Sequence, residues 1–160
     1  MTASLVSRLH RCESQLRDFL DEALRGVPVE KILEPPPSGK WSANENLAHL
    51  GRYHEIFLER IDRMLKETNP VFERYRAEDD PQWEAWRTLG YKELAGKLAS
   101  LREMLMARLK SLAPEDWERT GTHSKFGEMS LALWLEFFLV HEAHHLYVVL
   151  QRLERRERSL

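Results

Sequence analysis

The chain has 160 residues, a length that suits one domain able to bury a core without disulfide bonds or a structural metal. With 42% hydrophobic and 31% charged residues it has a globular composition, and a net charge of −2 argues against nucleic-acid binding driven by charge. No run of about 18 uncharged apolar residues occurs, and residues 1–20 lack the apolar segment of a secretory signal. With a single cysteine, Cys12, we therefore expect a cytoplasmic protein without a nucleic-acid or membrane partner.

Apolar residues at alternating spacings of three and four predict four long helices. The helices are predicted over residues 5 to about 26, 43 to about 67, 91–112 and, within the C-terminal stretch, 129–155. Ser42 followed by Glu45 is the capping-box pattern that begins the second helix. We expect residues 1–160 to form one all-α domain, an up-and-down four-helix bundle.

The segments between these helices differ in composition. Residues 27–40 contain four prolines and predict a long extended connector before the second helix. Residues 71–91 are polar and are expected to form a loop with one short helix, and residues 119–128 a loop that precedes the last helix.

The last predicted helix contains His141, Glu142 and His145 in an H-E-x-x-H pattern. At about 100° per residue the two histidines lie one turn apart on one face, where two neutral imidazoles can bind one divalent transition metal. The extended zinc-protease pattern would place Gly and His where this chain has Val148 and Gln151, so the protease interpretation is rejected. A third ligand must therefore come from upstream.

Metals in helical bundles lie between facing helices, which favours a third ligand from the second predicted helix. On that helix His54 lies at the centre of the apolar stripe, whereas His49 points about 140° away, so periodicity alone favours His54. His123 is expected to be an exposed loop histidine and His10 to face solvent. His144 turns off the ligand face of the last helix.

Several short motifs occur together in a characteristic order. Trp41-Ser42 stands eight residues ahead of His49 in Leu47-Ala48-His49-Leu50, and a His-Ser-Lys-Phe-Gly-Glu-Met-Ser-Leu loop precedes the closing His-x-x-x-His helix. In this order and spacing they resemble the DinB-like/YfiT-like superfamily of metal-binding four-helix bundles. The resemblance implies that the metal ligands are His49, His141 and His145.

The resemblance also implies a divalent metal such as nickel or zinc, a homodimer, and a metal-dependent enzyme that acts on a small-molecule substrate. Such an enzyme would be a hydrolase or a transferase that uses a low-molecular-weight thiol. Three histidines leave a coordination position open, as catalytic metal sites do. The alternative is a non-catalytic metal-binding stress or interaction module.

Four further side chains are expected near the metal, besides Glu142, which could either reach the metal's water or form a salt bridge. Glu45 is one turn ahead of His49 and is a candidate to orient it. Arg52, Arg60 and Lys125 are candidates to hold a carboxylated thiol at the mouth of the site.

Overall fold

The structure is a computed structural model that describes residues 2–154. Its four long helices confirm the predicted four-helix bundle. The helices are α1 (Ala3–Ala23), α2 (Val29–Leu33), α3 (Ala43–Lys66), α4 (Trp83–Arg87), α5 (Tyr91–Lys110) and α6 (Leu131–Leu153), of which α2 and α4 have five residues each. Within the described residues, none of these helices is long and apolar enough to cross a membrane.

The prediction that the bundle is up-and-down is wrong. α1 runs parallel to α6, α3 runs parallel to α5, and α3 is antiparallel to α6, so the order is up, down, down, up. Between α1 and α6, Arg8 contacts Glu136 and Gln15 contacts Glu142, so the residue numbers rise together and the helices are parallel. The same holds between α3 and α5, where His54 contacts Arg102 and Asp62 contacts Arg108. Between α3 and α6, Asn46 contacts His145 and Tyr53 contacts His141, so one number rises as the other falls and the helices are antiparallel. As a result the consecutive long helices α1 and α3, like α5 and α6, lie diagonally across the bundle.

The parallel pair of α3 and α5 is possible because residues 67–90 return along the whole of α3, a helix about 36 Å long. The ring of Trp86 lies against the backbone of Gly51, where an added Cβ would come within 2.3 Å of it. Near the start of α3, Asn44 Nδ2 donates a hydrogen bond of 2.9 Å to the carbonyl of Leu89. The returning segment therefore covers α3 on the side away from the other helices.

A small sheet, which the sequence did not predict, closes one end of the bundle. Its strands are β1 (Val71–Phe72), β2 (Thr120–His123) and β3 (Gly127–Ser130), in the order β1-β2-β3. β1 pairs with β2 in parallel, with Phe72 opposite His123, and β2 and β3 form an antiparallel hairpin. The sheet joins two long crossovers and places His123 beside α6.

The predicted capping box at the start of α3 is present. Ser42 Oγ accepts from Glu45 N at 3.1 Å, and Glu45 Oε2 accepts from Ser42 N at 2.8 Å. Because this reciprocal pair satisfies two otherwise unpaired helix-end groups, it fixes the first turn of α3. His49 follows seven residues after Ser42, about two turns along the helix.

Candidate metal centre

Three histidines from two antiparallel helices converge on one point. His49 is on α3, and His141 and His145 are one turn apart on α6. Each offers one ring nitrogen, and these three atoms lie within 4.8 Å of one another. The Nε2 atoms of His49 and His141 are 3.1 Å apart. Two nitrogens bound tetrahedrally to one zinc ion would be about 3.3 Å apart, so this spacing fits a shared metal.

All three imidazoles are neutral at physiological pH, the form that binds a metal. Burial lowers the pKa of His49 to about 3, and proximity to His145 adds to the shift. Burial, together with nearby His144, lowers the pKa of His145 to about 4. The pKa of His141 lies well below its usual value for the same reason, with a further contribution from the other two histidines. A cation that binds these rings near pH 7 therefore releases no net proton, since each imidazole can keep its one proton on Nδ1.

Asn46, which the sequence analysis missed, orients one of the three rings. Its Nδ2 donates to the Ser42 carbonyl at 2.8 Å, so its Oδ1 faces α6 and accepts from His145 Nδ1 at 2.9 Å. This hydrogen bond places the proton on Nδ1 and leaves the Nε2 lone pair free for a metal. The predicted orienting residue, Glu45, instead binds the Ser42 amide and Arg87.

Aromatic side chains surround the three histidines. The Trp41 ring lies 5.1 Å from the His49 ring and 6.3 Å from the His145 ring, measured between centroids. The Tyr53 ring is 4.2 Å from that of His141. This packing restricts the rotation of the imidazoles. The Nδ1 atoms of His49 and His141 are buried and have no hydrogen-bond partner in the described part of the chain, so packing alone orients those two rings.

The three histidines line an open cavity of about 670 Å³. Apart from Ala77, its other lining residues are aromatic or charged: Trp41, Tyr53, Tyr75, Phe126, Phe137, Arg74, Arg76, Glu78, Lys125 and His123. His123 was expected to be exposed, but only 3% of it is, because it packs between Phe126, Phe137 and Trp134.

Of the three predicted basic residues, only Lys125 lines the cavity. Arg52 forms salt bridges of 2.6 Å with Asp80 and 3.0 Å with Glu55. Arg60 is buried and donates to the Tyr53 hydroxyl and to the carbonyl of Glu73. Both guanidinium groups are therefore engaged in holding α3 to the returning segment.

His54, the ligand that periodicity favoured, belongs to a separate buried network. It is fully buried, its Nδ1 donates to the Leu50 carbonyl at 2.7 Å, and its Nε2 accepts from Arg102 at 2.9 Å. Arg102 also forms an ion pair with Glu142, which accepts from Gln15 Nε2 at 3.0 Å. Both nitrogens of His54 are thus occupied.

Glu142 is fully buried, and its partners lie on α1 and α5. Of the two predicted roles, the structure therefore shows the salt bridge. A protease would use the glutamate of H-E-x-x-H to activate water at the metal. His10 is exposed, as expected, and His144, which was expected to turn off the ligand face, is exposed and lies outside the histidine cluster.

The family model described as the DinB superfamily matches residues 14–149. Protein YuaE of Bacillus subtilis is 28% identical over 148 residues, which cover 85% of this chain and 91% of YuaE. A protein of Oceanobacillus iheyensis named "Putative metal-dependent hydrolase OB0782" is 25% identical over 122 residues, 75% of this chain and 69% of that protein.

Among solved structures, YfiT from Bacillus subtilis matches with a TM-score of 0.75 and 21% identity, covering 98% of this chain and 89% of YfiT. YfiT is described as a probable metal-dependent hydrolase with an unusual four-helix bundle topology. At this identity the likeness concerns the fold. The family match spans most of the residues that form the bundle and includes all three clustered histidines, and the chain belongs to the DinB superfamily.

Proposed function

We propose that this protein is a metal-dependent enzyme that acts on a small molecule, with His49, His141 and His145 as the ligands of one divalent ion, zinc or nickel. The observation that carries the proposal is the convergence of three neutral imidazoles at the wall of an open cavity. A structural zinc site would have four protein ligands and be closed to solvent. Here the described residues offer three, and the cavity gives a further ligand access.

The chain's own residues prepare the site for such an ion. Asn46 holds the His145 ring with Nε2 free, and Trp41 and Tyr53 pack against the imidazoles. A divalent ion bound there would acidify a coordinated water or thiol and polarise a carbonyl. The cavity volume of about 670 Å³ is typical of sites that bind small molecules.

Hydrolysis is the reaction that we propose first, because two of the related proteins carry the name "Putative metal-dependent hydrolase". Transfer from a low-molecular-weight thiol is the second candidate. The observation that favours it is the presence of Arg74, Arg76 and Lys125 along the cavity, since these cations could hold the carboxylates of such a thiol. A non-catalytic metal-binding module is less well supported because the histidines open onto a cavity of substrate size.

The test is a pair of activity screens on zinc- and nickel-loaded protein. One screen follows hydrolysis of 4-nitrophenyl acetate and small amides, and the other follows conjugation of cysteine to 1-chloro-2,4-dinitrobenzene. Turnover should depend on the metal, vanish in His49→Ala and persist in His54→Gln. A protein that binds the metal but turns over nothing in either screen would favour the non-catalytic module.

We also propose that the protein is cytoplasmic and a homodimer. Three exposed apolar side chains, Leu133, Val140 and Tyr147, recur every seven residues on the outer face of α6. They offer one surface on which two copies could pack, and sedimentation equilibrium of the full chain would measure the association.

A further inference from the structure

One wall of the cavity is built from β2 and from the segments that follow β1 and β2, and it is rich in positive charge. Arg74, Arg76 and Lys125 line the cavity with a single carboxylate, Glu78. Arg76 forms a salt bridge of 3.4 Å with Asp79, whereas Arg74 and Lys125 form no salt bridge with the described residues. The two free cations are therefore available to an anion that enters the cavity.

Hydrogen bonds at the end of the sheet join the segments that carry these two cations. Phe72 of β1 pairs with His123 of β2 in parallel register. The pairing continues as Ser124 N donates to the Phe72 carbonyl at 3.0 Å and Arg74 N donates to Ser124 Oγ at 3.1 Å. These two hydrogen bonds hold the backbone of Arg74 against Ser124, the residue that precedes Lys125 in the turn between β2 and β3.

His123 adds a neutral donor to the same wall. Its Nδ1 accepts backbone hydrogen bonds from Lys125 N at 3.0 Å and Phe126 N at 3.3 Å. An acceptor nitrogen has no proton, so the ring proton is on Nε2, which has no hydrogen-bond partner in the described part of the chain. Burial and the nearby arginines lower the pKa of His123, which keeps this tautomer neutral.

We propose that Arg74, Lys125 and the Nε2–H of His123 form a binding subsite for an anionic group, a carboxylate or phosphate, on the substrate. This inference rests on the proposed function in one respect, namely that the reacting end of the same molecule lies at the three histidines. Two flexible cations with one fixed neutral donor suit a group with several acceptor oxygens. The histidines at the other wall are uncharged and would not attract an anion without a metal.

A pair of matched ligands tests the subsite on zinc-loaded protein. Acetohydroxamate binds a metal through its hydroxamate, and phosphonoacetohydroxamate adds an anionic arm. By titration calorimetry, the arm should raise affinity at least tenfold in the wild type, and Arg74→Ala/Lys125→Ala should lose most of this gain. The control Arg25→Ala/Lys92→Ala removes two exposed cations outside the cavity and should keep it. An equal affinity for the two hydroxamates in the wild type would overturn the subsite.

The contribution of His123 can be separated from its structural role. His123→Asn retains an acceptor for the two backbone amides but lacks the Nε2–H. This variant should therefore reduce the affinity gained from the phosphonate arm and leave the affinity for acetohydroxamate unchanged. An unchanged gain from the arm in this variant would overturn the assignment of His123 to the subsite.

A second measurement distinguishes failure of the subsite from failure of the metal centre. Inorganic phosphate is titrated into the full chain without added metal while the backbone amides are followed by NMR. Localised shifts of the Arg74, Ser124 and Lys125 amides, absent in the double variant, would support the subsite even if neither hydroxamate bound. The absence of such shifts in the wild type would overturn it, whatever the metal does.

Discussion

Replacing Glu142 by alanine should greatly lower the free energy of unfolding of this protein while leaving its metal ligands in place. The carboxylate is fully buried, is paired with Arg102 and accepts from Gln15. Burial raises its pKa, and the guanidinium of Arg102 opposes that shift. Without the carboxylate, the buried Arg102 retains only neutral acceptors, the Cys12 carbonyl and His54 Nε2.

The loss can be sized from this geometry. Removing one partner of a buried ion pair costs about 3–5 kcal/mol, a large share of the roughly 5–15 kcal/mol that stabilises a domain. The double variant Glu142→Leu/Arg102→Met removes both charges and should recover most of the free energy of unfolding that Glu142→Ala loses. About 1–3 kcal/mol should remain lost, because His54 Nε2 then lacks its donor.

Urea unfolding without metal measures the free energy, and competition with a chelator measures zinc affinity. Glu136→Ala is the matched control, because this glutamate is on the same helix but its side chain is 28% exposed and pairs with Arg8 and Arg11. Its loss should cost about 1 kcal/mol or less. If Glu142→Ala kept wild-type stability and lost zinc affinity, the glutamate would act at the metal and the assignment to the core would be wrong.

Three further predictions follow from individual contacts. Asn46→Ala should weaken zinc binding by roughly 10–100-fold, because the His145 ring loses its orienting acceptor, and chelator competition measures this. The metal-free protein should lose stability as pH falls from 6.5 toward 4. In this range the histidines of the unfolded chain bind protons, whereas the buried histidines of the folded protein stay neutral because their pKa values are lowered. A urea midpoint that stays constant over this pH range would contradict this. Gly51→Ala should lower the free energy of unfolding by about 1–3 kcal/mol, since its Cβ would stand 2.3 Å from the Trp86 ring, whereas Gly96→Ala on α5, with open space around it, should not destabilise.

The positions of His49 and His54 show what a single apolar stripe cannot predict. A single apolar stripe identifies one buried face, but α3 packs against α6 and α5 and is covered by the returning segment. Two positions about 140° apart are therefore both buried, with His49 facing α6 and His54 facing Arg102 of α5. Helix spacing ranked His54 first, whereas the family resemblance favoured His49, the histidine that the structure places beside His141 and His145.

The long helices were predictable because each repeats its apolar pattern over many turns, and the capping box of α3 was predictable because Ser42 stands three residues before Glu45. The directions in which the four long helices run were not predictable, since residues 67–90 show no periodicity that would reveal their return along α3. The strands were missed because two to four residues are too few to display alternation. Of the cations in the cavity wall, Lys125 was predicted, whereas Arg74 was missed because its place there depends on the unpredicted pairing of β1 with β2 and on its hydrogen bond to Ser124.

The central claim is that His49, and not His54, completes the metal site. The most direct test is the zinc content of purified protein after dialysis against a weak chelator, with circular dichroism to establish that each variant is folded. The wild type and His54→Gln should each retain about one equivalent, and His49→Ala should retain none. If His49→Ala retained zinc and His54→Gln lost it, the assignment would be contradicted, and His54, at the centre of the apolar stripe, would be the third ligand.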